Sequence, residues 1–248
     1  RKAHWEEVYR TKPRDSVSWY QPVPQASLDA IMRHGSNPAQ SLIDIGGGAS
    51  TLVAELAARG WRDLAVLDIS APALEVARAA MGAESARVDW IVADAANGRP
   101  ARQDDIWHDR AVFHFLTDGA ARAGYRAALM RGLAPGGLLV MATFALDGPE
   151  KCSGLPVQRY GPQELAATLG EGLGLPVTAE GVETPQVLEA LQQIGTVKAQ
   201  GYLYGKPGPA DAIESELEQM DLLLQPGALS GDEAAVPAEP EPRRARRA

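Results

Sequence analysis

The chain has 248 residues, 45% of them hydrophobic, with a formal net charge of −8 and a pI near 5.1. That size suits one large domain or one domain plus a fragment, and the acidic balance argues against nucleic-acid and anionic-membrane partners. A single cysteine, Cys152, excludes an internal disulfide and a multi-cysteine zinc site, and no metal is expected.

In chain order, "HWEEVYR" (4–10) and "PQASLDAIMRH" (24–34) read as two short helices. "SLIDI" is a strand, and "STLVAELAARG" is a helix closed by Gly60. "DLAVLD" is a second strand. "APALEVARAAM" is a helix with Ser70 as N-cap and Pro72 in its first turn. "RVDWIVAD" and "DDIWHDRA" are the third and fourth strands, "DGAARAGYRAALMRGL" a helix, "GGLLVMATFA" the fifth strand and "GPQELAATLG" another helix. Strands alternating with helices predict an α/β, Rossmann-like, doubly wound and mostly parallel sheet.

Beyond it, "PVTAEGV" and "AQGYLYG" read as strands around the helix "PQVLEALQQIG", with "PADAIESELEQMDLLL" as a closing helix. This βαβα pattern is expected to supply the C-terminal strands of the same sheet. The expected division is residues 1–170, a fragment at 171–224 packed on or beside the sheet, and a Pro- and charge-rich disordered tail at 225–248. No leader is visible, and "GLLVMATFAL" is too short to span a bilayer, so a cytoplasmic protein is expected.

The strongest chemical signal is "LIDIGGGAS" (42–50): a strand carrying Asp44, then Gly46, Gly47 and Gly48, then a helix. Glycines there permit positive φ and close approach of a ligand to the backbone, and the helix start offers free N–H groups. Asp68 closes the second strand and Asp94 the third. Acids at successive strand ends line the crevice where open α/β sheets hold ligands, and ionised carboxylates accept from ribose hydroxyls and an adenine amine. Each acid could instead serve only as a helix cap. A dinucleotide fingerprint would need glycine at Thr51, and no P-loop Gly-Lys-Ser/Thr is present, which leaves a nucleoside without phosphate.

On these motifs residues 4 to about 170 resemble a class I S-adenosylmethionine-dependent methyltransferase. "LIDIGGGAS" is similar to the family's first motif, with Ser50 where a third glycine is common; "VLDIS" is similar to its ribose motif and "VADAA" to its adenine motif. "HWEEVYRTKPRDSVSWYQ" resembles the N-terminal lid of one group of these enzymes. The resemblance implies S-adenosyl-L-methionine as cofactor. Asp44 would hold the methionine amine, with Gly46, Gly47 and Gly48 beneath it. Asp68 would hold the ribose hydroxyls, with Ile69 beside it among the cofactor-binding residues, and Asp94 and Ala95 would contact the adenine. Trp19 and Tyr20 would close over the cofactor, and Arg110 would sit near its methionine part.

Methyl transfer from a sulfonium is an in-line displacement that needs a base only if the acceptor must lose a proton. His108, Asp109 and His114 are the candidate catalytic residues. The acceptor implied is a small molecule or a protein lysine.

Residues 173–217 resemble the end of an EAL domain, the cyclic-di-GMP phosphodiesterase family, through "PVTAEGVET" and "AQGYLYGKP". Glu180 and Gln200 would align with metal-site positions there. Two of eight barrel units cannot close a barrel, and two side chains cannot hold a catalytic cation, so no phosphodiesterase activity is expected. The second reading of the whole chain is a non-catalytic, methyltransferase-like chimera.

Overall fold

The computed structural model describes residues 1–170, 177–180 and 197–200. Strands β1 (Leu42–Ile45), β2 (Leu64–Asp68), β3 (Val88–Val92), β4 (Asp104–Arg110) and β5 (Leu133–Ala142) form one sheet in the order β3-β2-β1-β4-β5. Every pairing in it is parallel. Helices α1 (Lys2–Thr11), α2 (Gln25–Arg33), α3 (Leu52–Ala58), α4 (Ala71–Met81), α5 (Gly119–Gly132) and α6 (Pro162–Gly170) accompany it. This is the expected α/β, Rossmann-like arrangement.

Two apolar clusters divide along the strands with a period of two. Ile43, Ile45, Ala65, Leu67 and Trp107 pack with Tyr125 and Leu129 of α5. Leu42, Leu64, Val66 and Ile106 pack with residues of α2, α3 and α4. Both faces of the sheet are covered, which is why these strands read as near-continuous apolar runs. Ser70 caps α4 by accepting from Ala73 N at 3.3 Å, with Pro at the first turn, as its sequence implies. Asp118 caps α5 the same way, accepting from Ala121 N at 2.8 Å.

The crossovers reverse between β1 and β4. The chain runs outward from β1 through β2 to β3, then returns to the other side of β1 to lay down β4 and β5. The carboxyl ends of the strands at this switch point form the crevice where open α/β sheets bind ligands.

After β5 an antiparallel pair, β6 (Lys151–Cys152) and β7 (Leu155–Pro156), turns at Ser153 and Gly154, both with positive φ. Such a two-residue hairpin turn matches the strand twist. β8 (Val177–Glu180) and β9 (Val197–Gln200) pair parallel, with Glu180 opposite Gln200. They form a two-stranded sheet of their own, so the expected addition of C-terminal strands to the main sheet is corrected: its order ends at β5. A parallel pair needs a connection of a dozen or more residues. Residues 181–196 supply that length, so the two strands can satisfy each other's inner edge without a third. The chain divides into two units, 1–175 and 176–248. The expected helices at 185–195 and 209–224 and the expected tail at 225–248 lie outside the described residues.

Candidate active site

A cavity of about 300 Å3 opens over the strand ends; it is lined by Asp44, Gly46, Gly47, Asp68, Ile69, Asp94, Ala95, His108 and Arg110 together with aromatic residues of the N-terminal segment. The volume lies at the lower end of the range for small-molecule sites. The glycine turn at its floor is required sterically. Gly46 has φ +69°, and a Cβ there would meet Val112 Cγ2 at 2.0 Å. A Cβ on Gly47 would meet Asp44 Oδ2 at 2.3 Å. Real Cβ atoms do not make contacts that close, so the turn keeps its backbone open to a ligand only with glycine.

Asp44 and His108 are register partners on β1 and β4 and therefore share one face of the sheet. His108 Nδ1 lies 2.7 Å from Asp44 Oδ1, and its Nε2 lies 2.9 Å from Ser27 Oγ on α2. All three residues are buried. The chain Ser27–His108–Asp44 holds the carboxylate in place and leaves Asp44 Oδ2 buried with no hydrogen-bond partner among the described residues. A buried, unpaired carboxylate oxygen is costly unless a donor from a ligand completes it. An ammonium group of a bound molecule fits that position.

Asp68 is 7% exposed. Its Oδ2 accepts from Gly48 N at 3.1 Å and its Oδ1 from Ser70 N at 2.7 Å, which ties the end of β2 to the glycine turn. Burial pushes its carboxyl up to about 6, against the lowering effect of those backbone donors. Each oxygen keeps a second lone pair, so hydroxyl donors from a ligand can still be taken. Asp94 lies two residues beyond the end of β3, and its Oδ1 accepts from Ala96 N at 2.9 Å. Its other oxygen is 4.0 Å from an Arg1 guanidinium nitrogen.

The N-terminal segment closes one side. Arg14 donates to the carbonyls of Ala49 and Ser50 at 2.8 and 2.9 Å, and Thr51 Oγ1 donates to Gln21 O at 2.9 Å. These bonds pin the segment to the glycine turn. Trp19 and Tyr20 both line the cavity. Arg110 donates to Gln21 Oε1, and at 3.3 Å to Trp19 O, so it braces this segment. Sequence reasoning missed Arg14, Ser27, Trp5, Tyr9, Phe115 and Phe144. The spacing of Trp5 and Tyr9, four residues apart on one helix face, was a usable signal.

The three candidate bases separate. His108 lines the cavity with both ring nitrogens engaged. Asp109 is fully buried and absent from the lining. It accepts from Val112 N, Phe113 N and the Tyr125 hydroxyl, the last at 2.5 Å, and burial pushes its carboxyl up to about 6. Its visible work is to hold the turn after β4. His114 lies in that turn, fully buried and outside the cavity lining, with neither ring nitrogen partnered among the described residues. Its ring packs edge-on against Phe115 and Phe144, centroids 4.4 and 4.8 Å away, and burial lowers it to about 4. It is neutral near pH 7.

A family model described as a methyltransferase domain matches residues 42–137. This segment is a methyltransferase domain. The matched residues contain the glycine turn, Asp68, Asp94, His108 and Arg110, whereas α1, Trp19 and Tyr20 precede them.

Among solved structures, the chain is similar to Burkholderia thailandensis 1,6-didemethyltoxoflavin-N1-methyltransferase with bound 1,6-didemethyltoxoflavin and S-adenosylhomocysteine. That match has 21% identity and a TM-score of 0.56 over 68% of this chain and 74% of that one. A structure described by the conversion of a disulfide bond into a thioacetal group during echinomycin biosynthesis matches at 23% identity and TM-score 0.51, over 69% and 78%. These likenesses show the fold of the methyltransferase domain. The chain spans 60% of the glycopeptide N-methyltransferase MtfA complexed with sinefungin, at 16% identity, TM-score 0.45 and 55% of this chain. An uncharacterized protein of Azorhizobium caulinodans is 49% identical over 43 residues, which is 17% of this chain and 6% of that protein's length. The match to the methyltransferase domain stops short of residues 173–217. Their resemblance to an EAL domain gains no support, and apart from β8 and β9 they lie outside the described residues. Among those residues no group of three or more His, Cys, Asp or Glu could hold a metal ion. No helix among them is long and apolar enough to cross a membrane.

Proposed function

We propose that the crevice of the methyltransferase domain, within residues 1–170, binds S-adenosyl-L-methionine through the strand-end acids and passes its methyl group to a small-molecule acceptor. The observation that carries this reading is Asp44 Oδ2, buried and unpaired beside a glycine turn that tolerates no side chain. In this reading Asp44 accepts from the methionine amine, held in orientation by His108 and Ser27. Asp68 accepts from the ribose hydroxyls and Asp94 from the adenine amine, with Ile69 and Ala95 packing against the base. Trp19 and Tyr20 cover the site, and Arg110 fixes that cover through Gln21 and the Trp19 carbonyl.

The bound sulfonium supplies an activated methyl group, so the protein's task is alignment of the acceptor and exclusion of water. His108 and Asp109 act as positioning groups. His114 is neutral at pH 7 but fully buried outside the cavity lining, so it too serves by packing, against Phe115 and Phe144. The lack of a committed base in the lining favours acceptors that attack through an existing lone pair.

The test is incubation with methyl-labelled S-adenosylmethionine and a panel of small molecules, with product detection by mass. Transfer that Asp68→Ala and Asp44→Ala abolish supports the reading. Transfer untouched by both would remove the strand-end acids from it.

A further inference from the structure

The cavity lining falls into two chemical sets. One is the acids and glycines of the strand ends. The other is aromatic: Trp5 and Tyr9 of α1, Trp19 and Tyr20 of the following segment, Phe115 from the turn after β4 and Phe144 from the segment after β5. Trp5 is edge-on to Trp19, with ring centroids 5.6 Å apart and planes at 87°, and to Phe115 at 5.3 Å and 75°. Tyr9 and Trp19 cross at 82° with centroids 6.4 Å apart.

No cation among the lining residues is free to meet a carboxylate or phosphate on an acceptor. Arg110 is committed to Gln21 and the Trp19 carbonyl, and Arg1 faces Asp94. No histidine in the lining is free to take a proton from an alkylammonium, since His108 is bonded at both nitrogens, and the carboxylates of Asp44, Asp68 and Asp94 lie at the strand ends that the reading above gives to the cofactor.

Within the aromatic set the Tyr9 hydroxyl keeps an uncommitted proton beside the rings of Trp5 and Trp19. The Tyr9 hydroxyl accepts from Trp19 Nε1 at 3.3 Å, and its own proton has no acceptor among the described residues. Burial pushes this phenol up to about 12, with Asp68 adding and Arg110 opposing, so it remains a donor at neutral pH. The aromatic end thus offers flat apolar walls and the Tyr9 hydroxyl as a neutral hydrogen-bond donor.

Resting on the methyl-transfer reading above, we propose that the acceptor is a neutral, planar heteroaromatic small molecule. It packs among Trp5, Trp19 and Phe115 and takes the Tyr9 proton on a ring or carbonyl heteroatom. Tyr9 is then a specificity-determining residue. A ring nitrogen of such a molecule has its lone pair available at pH 7. That pair forms the new nitrogen–carbon bond as the carbon–sulfur bond breaks, and the electrons of the broken bond return to sulfur as the neutral thioether. If the nitrogen bore a hydrogen, its proton leaves to water after transfer, so no protein base is consumed. Aromatic pairs of this geometry add to simple burial of area, which favours a flat ring over an aliphatic chain of the same size.

The test uses the full chain saturated with S-adenosylhomocysteine. Benzimidazole and 4-hydroxyquinoline are the planar probes, and Nα-acetyl-lysine amide is the aliphatic comparator. Tryptophan fluorescence reads binding, and mass spectrometry with S-adenosylmethionine reads transfer. The expected result is quenching by the planar probes and none by the lysine amide. Their affinity should fall at least fivefold in Tyr9→Phe, while affinity for S-adenosylhomocysteine stays within twofold. The proposal is overturned if the protein binds S-adenosylhomocysteine but neither planar probe, if Tyr9→Phe binds the probes as wild type does, if Tyr9→Phe weakens S-adenosylhomocysteine as much as the probes, or if the lysine amide is methylated. Failure to bind S-adenosylhomocysteine at all is the separate outcome that sinks the methyl-transfer reading itself, and the proposal with it.

Discussion

Asp68→Asn should weaken binding of S-adenosylhomocysteine by roughly 3 kcal/mol, or about a hundredfold in Kd. In the wild type the carboxylate is 7% exposed and already accepts from Gly48 N and Ser70 N. Two ribose hydroxyls would add two charge-assisted bonds, each worth about 1.5–3 kcal/mol. The asparagine keeps one oxygen for a backbone donor, so the fold is retained better than in Asp68→Ala. Isothermal titration gives the affinity, and a melting curve of each variant shows that the turn persists. The wild type adds a pH test. Burial raises the Asp68 carboxyl to about 6 from 3.8. The free protein is therefore increasingly protonated there below about pH 6, while hydroxyl donors favour the ionised form. Affinity should fall as pH drops through 6, by up to tenfold per unit, with proton release on binding near pH 6 and none at pH 8. For stability alone the sign is opposite. The folded state holds this proton more tightly than the unfolded chain, so the Asp68 contribution is present at low pH and is lost as pH rises from about 4 to about 6. Equal affinity in wild type and Asp68→Asn, or a flat pH profile between 5 and 8, would refute the ribose role.

Gly47→Ala should lose cofactor binding and destabilise the fold by about 2 kcal/mol or more, read by titration and thermal melting, because the new methyl overlaps Asp44 Oδ2. His108→Ala, read the same way, should weaken S-adenosylhomocysteine at least tenfold by releasing Asp44 and should lower Tm, since Ser27 and Asp44 each lose their partner. His114 should not titrate by NMR between pH 5 and 8. Its folded value of about 4 lies below the ordinary 6.5, so its contribution to stability is lost as pH falls from about 6.5 to about 4, and His114→Leu should remove that loss. The purified protein should not hydrolyse cyclic-di-GMP with Mg2+ or Mn2+, and any turnover abolished by Glu180→Ala would contradict this.

The glycine turn and the acids were legible because each solves a local problem. A strand ending in Asp44 followed by three glycines leaves few conformations, and acids at strand ends converge once the strands are parallel. The Ser27–His108–Asp44 chain was not legible. It depends on Asp44 facing His108 across β1 and β4, a register set by residues 64 positions apart. Asp109 misled for the same reason. It lies beside two histidines in sequence, but the alternation of β4 places it on the opposite face, where it holds the turn below it. The hairpin at Lys151–Pro156 was missed because its strands have only two residues each and rely on the turn at Ser153 and Gly154.

The central claim is that the strand-end acids and glycine turn form a cofactor site. Isothermal titration of the full chain with S-adenosylhomocysteine at pH 7.5 tests it most directly. One-to-one binding with a micromolar Kd, lost in Asp44→Ala, is the result predicted here. No heat of binding from a folded, monomeric sample, or binding that Asp44→Ala leaves unchanged, would contradict it.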